Sequence, residues 1–330
     1  MRYLIVSEKG KSVGLARKLE SEGHAVQVHI VQPASQRKGV GLVSILRTPR
    51  AIMDSDGAYN LSAIEWLMTT ARPDITIFDS SSTHVMATRM QSSGHRVLGC
   101  TTDVVQDCHE RSYFSVTGFF NGTKFMGGCS RVTHYDALFN DDIGPRTPMG
   151  MTCEFIDQHA VLNDLAVRLR ATTYRGPVVA YLEPAGMLRD WFAGFSASTY
   201  LLFEGLAGSV SQLFVDCVNG IDSHAMTVAK FAAAVRVTLP PFPYRAKAVE
   251  TPILGIDEGN LKHFWPNDLC YNQGIYSTAG ESNDLGYFTA RGDSVREAQR
   301  RVYRTIRNLQ AESLQYRTDI GALNKEVIHA

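Results

Sequence analysis

The chain lacks an excess of charge of either sign, a long apolar run and a cysteine pair, and each absence excludes a class of protein. Lysine plus arginine and aspartate plus glutamate both number 33 in 330 residues, so the composition gives no electrostatic attraction to nucleic acid or to an anionic membrane. Charged residues interrupt every apolar stretch before it reaches the length of a membrane span. The short apolar run at the start is followed at once by Ser7-Glu-Lys-Gly-Lys11, which excludes a secretory signal. We therefore expect a cytoplasmic protein whose partners are neither nucleic acid nor membrane.

The cysteines and histidines are not spaced as metal ligands. Six cysteines are scattered along the chain without a Cys-x-x-Cys pair: Cys100, Cys108, Cys129, Cys153, Cys217 and Cys270. The ten histidines show neither His-x-x-x-His nor His-Glu-x-x-His spacing. This pattern is typical of reduced, buried thiols and of solvated or hydrogen-bonded histidines, rather than of a disulfide framework or a zinc site.

The first hundred residues alternate apolar segments with amphipathic ones. Short apolar runs predict strands over 3–6, 25–31, 74–78 and 96–98. Apolar residues at helical spacing predict a helix over 13–19, stopped by Gly23, and another over 61–68, ended before Pro73. Because strands that alternate with helices form parallel sheets, we expect an α/β fold with a doubly wound parallel-sheet N-terminal domain over residues 1–110.

The pattern of predicted strands, helices and loops changes twice more along the chain, and each change predicts a further domain. The dipeptide Asn121-Gly122 between two apolar runs predicts a β-hairpin. The next predicted elements are a loop rich in Asp, Gly and Pro over 141–150, a helix over 161–169 and a strand over 178–181. A region of short predicted strands begins near residue 240 and ends in an amphipathic helix. We therefore place a second domain at 111–238 and a small α+β C-terminal domain at 239–330.

Gly10-Lys11-Ser12, directly after the first strand, invites comparison with a phosphate-binding P-loop. That motif requires another glycine five positions before Gly10, and Ile5 stands there inside the strand, so we assign no P-loop. The segment still opens the first predicted helix, where backbone amides favour an anion. Lys9 and Lys11 are therefore either anion-binding residues or two exposed lysines at a turn.

Several segments stand in the same order as those of a known family. The two that first indicate it are Gly144-Pro-Arg-Thr-Pro-Met-Gly150 and Tyr316-Arg-Thr-Asp-Ile-Gly321. The others are residues 115–125, Tyr174-Arg-Gly-Pro177, residues 188–199 and residues 286–306. Over nearly its whole length the chain resembles phosphoribosylamine–glycine ligase, an ATP-grasp enzyme of purine synthesis. The resemblance implies that the second domain is a reduced ATP-grasp core.

The resemblance also implies a set of functional positions. The candidate ligand-binding residues are Lys9, Gly10, Lys11, Gly144, Pro145, Arg146, Thr147 and Gly150. ATP-grasp enzymes make an acyl phosphate from a carboxylate and Mg-ATP, which requires lysines on the triphosphate and two metal-bound ligands. The resemblance places one metal ligand at Asp190 and the other at Phe192, which cannot coordinate a metal. Taken without the resemblance, Asp190 is more simply interpreted as a solvated acid or as one paired with Arg189 than as a metal ligand.

The departures from the family fall on charged functional positions. Glu110-Arg-Ser-Tyr113 runs almost directly into the strand pair, so most of the ATP lid is absent. Asp136 and Ala137 stand in place of a Lys-Arg pair, and Gly194 stands in place of an arginine. Asp79 replaces a loop glycine, where a carboxylate would repel a phosphate and crowd the backbone donors. Loss of charged sites with retention of the framework is the pattern of a degenerate enzyme.

Three functions are compatible with this pattern. In the first, the chain is a non-catalytic relative that acts as a binding, regulatory or assembly subunit, has no cofactor, and contacts a protein partner or another copy of itself. In the second, it is an ATP-dependent carboxylate–amine ligase that uses Mg-ATP. Its replacement ligands would be Lys9, Lys11, Lys124 or Arg146 for phosphate and Asp190 or Glu183 for the metal. In the third, it binds a nucleotide or sugar phosphate without turnover. The divergent segments are similar to those of family members carried by viruses.

Overall fold

The computed structural model describes residues 1–49, 61–99, 114–222, 229–244 and 249–322. The α-helices in these ranges are α1 Val13–Ser21, α2 Leu61–Ala71, α3 His84–Ser92, α4 Ala160–Leu169, α5 Ala197–Glu204, α6 Val210–Asn219, α7 Glu258–Leu261 and α8 Val295–Ile306. The strands are β1 Arg2–Ser7, β2 Ala25–Ile30, β3 Ser44–Ile45, β4 Ile75–Phe78, β5 Val97–Leu98, β6 Phe114–Phe120, β7 Cys129–Ala137, β8 Arg146–Ile156, β9 Gly176–Leu182, β10 Leu188–Ala193, β11 Phe231–Thr238, β12 Pro252–Ile253, β13 Phe264–Pro266, β14 Leu269–Asn272, β15 Ile275–Thr278 and β16 Asp284–Gly292.

The N-terminal part forms a parallel sheet of five strands in the order β3-β2-β1-β4-β5. Its central strands are buried on both faces, as helices on either side require: Tyr3 and Ile5 pack with α1, while Leu4 and Val6 pack with α2 and α3. Helix α1 ends just before Gly23, whose φ of +88° is accessible to glycine at little cost. The predicted α/β fold class with a doubly wound parallel sheet is confirmed.

The middle and last parts share one antiparallel sheet of eight strands in the order β10-β9-β6-β7-β8-β11-β16-β13. Helices α4 and α8 cover its outer face, and α5 and α6 cover the inner face, which is turned toward the parallel sheet. Because β11 pairs with β16, this sheet crosses the boundary predicted at 238/239. The three-domain division stays a prediction, and its first boundary lies outside the described residues.

Two local predictions are corrected by the structure. The turn at Asn121-Gly122 forms, but it leads only to an isolated bridge between Phe120 and Phe125, and the antiparallel partners of β6 are β7 and β9. The loop predicted over 141–150 ends earlier, because β8 begins at Arg146 and pairs with β7 and β11. The centre of β8, residues 149–153, is buried on both faces and pairs with a strand on each side, which stabilises a strand there despite the Gly and Pro content.

Direct contacts hold the parallel sheet against the inner face of the antiparallel one. The Glu22 carboxylate accepts hydrogen bonds from the amides of Val210 and Ser211, at 3.0 and 2.8 Å, and so caps the N-terminus of α6. A Cβ on Gly14 of α1 would lie 2.8 Å from Cα of Trp265, so this helix approaches β13 at backbone contact distance. The position of the β1–α1 loop relative to the large sheet is thereby fixed.

The four cysteines that fall within the described residues, Cys129, Cys153, Cys217 and Cys270, are buried free thiols. No helix in the part of the chain that the structure describes has the length and apolar character needed to cross a bilayer.

Candidate functional site

The first candidate segment is the β1–α1 loop, at the carboxyl end of β1. Gly10 has φ +70°, and a Cβ there would lie 3.1 Å from Ile30 and 3.2 Å from the Lys38 side chain, so both the conformation and the space favour glycine. The side chains of Lys9 and Lys11 are exposed. Loop geometry therefore turns the predicted cations outward, while the hydroxyls and amides of the loop face the parallel sheet.

The interior of this loop is occupied by the carboxylate of Asp79, which directly follows β4. Its Oδ2 accepts hydrogen bonds from the hydroxyls of Ser7 and of Ser12, the latter at 2.8 Å, and its Oδ1 accepts from the Glu8 amide at 3.1 Å. Burial raises the pKa of Asp79, although these hydrogen bonds and Lys11 oppose the shift. Ser12 stands at the N-cap of α1 but makes no cap hydrogen bond with its side chain. The donors of the loop therefore bind an acid of the protein itself.

A second carboxylate lies beside the first. The Glu8 carboxylate accepts hydrogen bonds from the side-chain amide of Gln32 at 2.9 Å and from the Ser80 hydroxyl at 2.6 Å. Burial opposes ionisation of Glu8, but hydrogen bonds from Ser80 and Ser82 prevail and lower its pKa. The loop thus carries an ionised acid next to the buried one, and together they disfavour a phosphate.

The second candidate area is the inner face of the antiparallel sheet near its β10 edge. Asp190 and Phe192 lie two residues apart on β10 and therefore share a face. The half-buried Asp190 accepts a hydrogen bond from the amide of the following residue at 2.8 Å. The Phe192 ring lies 2.7 Å from where a Cβ on Gly194 would stand, so this glycine makes room for the ring. An aromatic ring thus occupies the position beside Asp190 where a second metal ligand is expected.

Polar side chains of the neighbouring strands lie on the same face of the sheet as Asp190. Tyr181 pairs in register with Asp190 on one side and with Ser115 on the other. The Ser115 hydroxyl lies 2.7 Å from Nε2 of His134, and both residues are buried. Sequence reasoning missed this pair, because only the antiparallel register of β6 with β7 brings the two residues together.

The third candidate segment is the turn between β7 and β8, which includes Gly144 and Pro145. Gly144 has φ +92°, and the Pro145 carbonyl accepts a hydrogen bond from the Leu138 amide at 3.1 Å. Arg146 is exposed at the start of β8, whereas Thr147 is buried. At Gly150, farther along β8, a Cβ would lie 2.6 Å from Ile320, so glycine is required for the C-terminal segment to pack there.

The same turn is held by the C-terminal segment, which provides a cation for one of its acids. Arg317, which is fully buried, binds Asp142 at 2.7 Å and pairs with both oxygens of Asp319. From the sequence alone, Arg146 is expected either to pair with Asp141 or Asp142 or to hold a phosphate. The guanidinium partner of Asp142 is Arg317, and Arg146 has no partner among the described residues.

The β1–α1 loop belongs to the parallel sheet and the β7–β8 turn to the antiparallel one. Aromatic residues stand between them. The Tyr200 hydroxyl donates to the Lys11 carbonyl at 3.1 Å, and the Tyr200 ring stacks on Trp265 with centroids 4.5 Å apart. On the neighbouring strand, the Tyr287 hydroxyl donates to the Pro148 carbonyl at 3.4 Å. The space between the two candidate segments is therefore partly filled by packed rings.

Comparison with solved structures identifies the fold. The chain is similar to phosphoribosylamine–glycine ligase from Thermotoga maritima, with a TM-score of 0.65 and 14% identity over 97% of this chain and 100% of that one. It is also similar to biotin carboxylase from Campylobacter jejuni, with a TM-score of 0.64 and 8% identity over 97% and 94%. The chain has the ATP-grasp fold. Neither protein-family models nor curated protein sequences match it. The resemblance seen in the sequence is thus confirmed for the fold.

The residues present do not fit the Mg-ATP that an ATP-grasp fold implies. In the described ranges no three His, Cys, Asp or Glu side chains are grouped so that they could hold a metal. Phe192 stands beside Asp190, and the Asp79 carboxylate takes up the donors of the anion-favouring loop. A phosphate at the β1–α1 loop would therefore meet two carboxylates, and a metal ion at Asp190 would meet an aromatic ring in place of a second ligand.

Proposed function

We propose that this chain is a non-catalytic protein of ATP-grasp fold that acts as a binding or assembly subunit, with a second copy of itself or an active homologue as its partner. In this proposal it uses no Mg-ATP. The proposal goes beyond the fold, and it is supported by residues that are present rather than by residues that are missing.

One observation carries the proposal. The Asp79 carboxylate accepts hydrogen bonds from the two serine hydroxyls and the Glu8 amide of the β1–α1 loop. The Glu8 carboxylate adds a second negative charge. A phosphate would have to displace a carboxylate that already has three donors, and it would then lie beside another. Both the hydrogen-bond donors and the electrostatic potential of the loop therefore favour the arrangement in which Asp79, and not a phosphate, occupies the loop.

The inner face of the large sheet supports the same conclusion. Phosphoryl and acyl-phosphate chemistry requires cations or metal ions at the developing negative charge. Here Asp136 on β7 and Asp190 on β10 are acids, and Phe192 offers no donor atom. Toward the opposite edge of the same face, Trp265 of β13 is covered by the stacked ring of Tyr200. Such a surface can pack and bind, but it does not neutralise a triphosphate.

The catalytic half of the proposal is tested by ADP release. The full chain is incubated with Mg-ATP, glycine and a sugar-phosphate amine, beside an active phosphoribosylamine–glycine ligase as positive control. We expect no ADP above the buffer blank. Multiple turnovers that disappear in Asp190→Asn would contradict the proposal and would favour the carboxylate–amine ligase instead.

The assembly half is tested separately by size-exclusion chromatography with light scattering at micromolar concentration. The chain is measured alone and after mixing with the active ligase used as the positive control. A dimer or larger species, or a mixed complex, is expected. A strict monomer that also fails to join the ligase would refute the assembly role, whatever the outcome of the ADP assay.

A further inference from the structure

A second cleft lies away from the candidate site, between the parallel sheet's first helix and the C-terminal part of the chain. We call it the α1–α7 cleft; its volume is about 210 Å³. It is lined by Gly14, Arg17, Lys18 and Ser21 of α1, by Glu258, Leu261 and the adjoining Lys262 of α7, and by Phe264 and Trp265 of β13. No role has been assigned to any of these charged side chains above.

Helical geometry and one glycine create the cleft. Residues 14, 17, 18 and 21 share one face of α1, and residues 258, 261 and 262 share one face of α7. At Gly14 the two parts touch, since a Cβ there would lie 2.8 Å from Cα of Trp265. Farther along α1 the longer side chains hold the helices apart, and the cleft opens between them.

The cleft combines an apolar floor with a cationic wall. Leu261, Phe264 and Trp265 are buried. Three cations line the wall with a single acid, Glu258. A surface of this kind favours a ligand with both a negative charge and an apolar body.

Two acids partly neutralise the cations of the cleft, Glu20 near Arg17 and Glu22 near Lys18, but hydrogen-bond donors remain unused. Arg17 donates one long hydrogen bond to the Leu42 carbonyl, at 3.4 Å, and its Nε is buried without a hydrogen-bond partner in the structure. Lys18 lies 3.4 Å from Glu22, but both oxygens of that carboxylate already accept amides of α6. Lys262 is exposed at the rim. A buried guanidinium donor without an acceptor costs stability. An anion in the cleft would meet the part of the Arg17 side chain that lines it.

We propose that the α1–α7 cleft binds a small organic anion, a carboxylate or phosphate carried on a single aromatic ring or a short aliphatic body. The anionic group would lie against Arg17, Lys18 and Lys262, and the apolar body against Phe264 and Trp265. The ligand is small because the cleft is smaller than the range typical of drug-sized sites. Since the ligand contacts both α1 and α7, it stabilises the packing of the parallel sheet against the C-terminal part. The cleft shares Trp265 with the space between the two candidate segments, but none of the predicted ligand-binding residues lines it.

Trp265 provides a direct reporter of binding. Replacing the other two tryptophans, Trp66→Phe and Trp191→Phe, leaves Trp265 as the single tryptophan on the cleft floor. The full chain with these changes is titrated with phenyl phosphate, with benzoate, and with neutral benzyl alcohol. We expect a saturable change in fluorescence for at least one anion, weakened by added salt, and none for the alcohol. The anion that binds more tightly identifies the charged group.

Two charge variants and a matched control decide whether the response comes from the cleft. Lys262→Gln and Arg17→Gln should each weaken binding about tenfold, as expected for loss of one charge-assisted contact. Arg304→Gln removes the same charge from an exposed position on α8 and should leave binding unchanged. Because Lys262 is exposed, its variant is expected to fold even if Arg17→Gln does not. The proposal is overturned if neither anion gives a saturable change up to about 10 mM, or if Lys262→Gln binds as tightly as Arg304→Gln.

Discussion

Replacement of Asp79 by alanine should convert the β1–α1 loop from a self-filled site into an anion-binding one. The change removes the acceptor of three donors, the hydroxyls of Ser7 and Ser12 and the amide of Glu8, without altering the loop backbone. An anion of suitable size can then enter the vacated space and accept the same hydrogen bonds. We expect the variant, unlike the wild type, to be stabilised specifically by sulfate or phosphate.

The magnitude follows from two opposing terms. Each hydrogen bond to a charged acceptor contributes about 1.5–3 kcal/mol, but serine hydroxyls can rotate to other acceptors. In the other direction, burial raises the pKa of Asp79, so removing the ionised carboxylate relieves a desolvation cost at neutral pH. We expect a net loss of about 1–3 kcal/mol in the free energy of unfolding. Sulfate at a hundred times its dissociation constant would restore about 2.7 kcal/mol.

The assay is thermal unfolding of the full chain with increasing sulfate, with Asp74→Ala as the matched control. Asp74 stands just before β4, is exposed, and accepts the Arg2 amide at 2.8 Å, so its variant has the same change in net charge. Sulfate should raise the melting temperature of Asp79→Ala by several degrees more than that of Asp74→Ala or the wild type. Equal shifts in all three proteins would refute the view that the loop is an anion site filled by Asp79.

Three further predictions concern the contacts that hold the fold. Arg317→Met should lower the free energy of unfolding by about 3 kcal/mol in chemical denaturation, because two carboxylates lose their buried cation; a loss below about 1 kcal/mol would contradict this. Glu22→Ala should cost about 1–2 kcal/mol, since two amides of α6 lose their cap, and Glu22→Gln should recover part of it. The Glu204 hydrogen bond raises the pKa of His263 above 6.5, so the stability this pair provides should be complete below pH 6.5 and fade as pH rises through the raised pKa. Unfolding of His263→Asn compared with wild type checks this, and a difference that grows with pH would show that the sign is wrong.

The parallel sheet could be predicted from the sequence, and the antiparallel one only in part. Strands β1 and β4 are short apolar runs buried on both faces, which single-sequence reasoning detects well. The alanines of β11, Ala232, Ala233 and Ala234, favour a helix by intrinsic propensity and gave no strand prediction. They form a strand because small, fully buried side chains let helices pack closely on both faces of the sheet. Tertiary packing, and not intrinsic helix propensity, therefore determines the secondary structure of this segment.

The candidate site, like the fold, could be predicted from the sequence only in part. The replacement of a glycine by Asp79 was visible in the sequence, and so was its effect on a phosphate. Its hydrogen bonds follow from the parallel pairing of Val6 with Phe78, which makes the residues after the two strands neighbours. The Ser115–His134 pair and the contact of Arg317 with the β7–β8 turn could not be predicted, because they depend on strand register and on a segment far away in the chain.

The most direct measurement of the central claim is a calorimetric titration of Mg-ATP into the purified full chain, followed by a melting curve in the same buffer. The account predicts no heat of binding at high-micromolar ATP and no shift in melting temperature, because Phe192 replaces a metal ligand and Asp136 stands in place of a cation that contacts the phosphates. A saturable heat with about one ATP per chain, reduced in Asp190→Asn, would contradict the account and would show that other residues have rebuilt the nucleotide site.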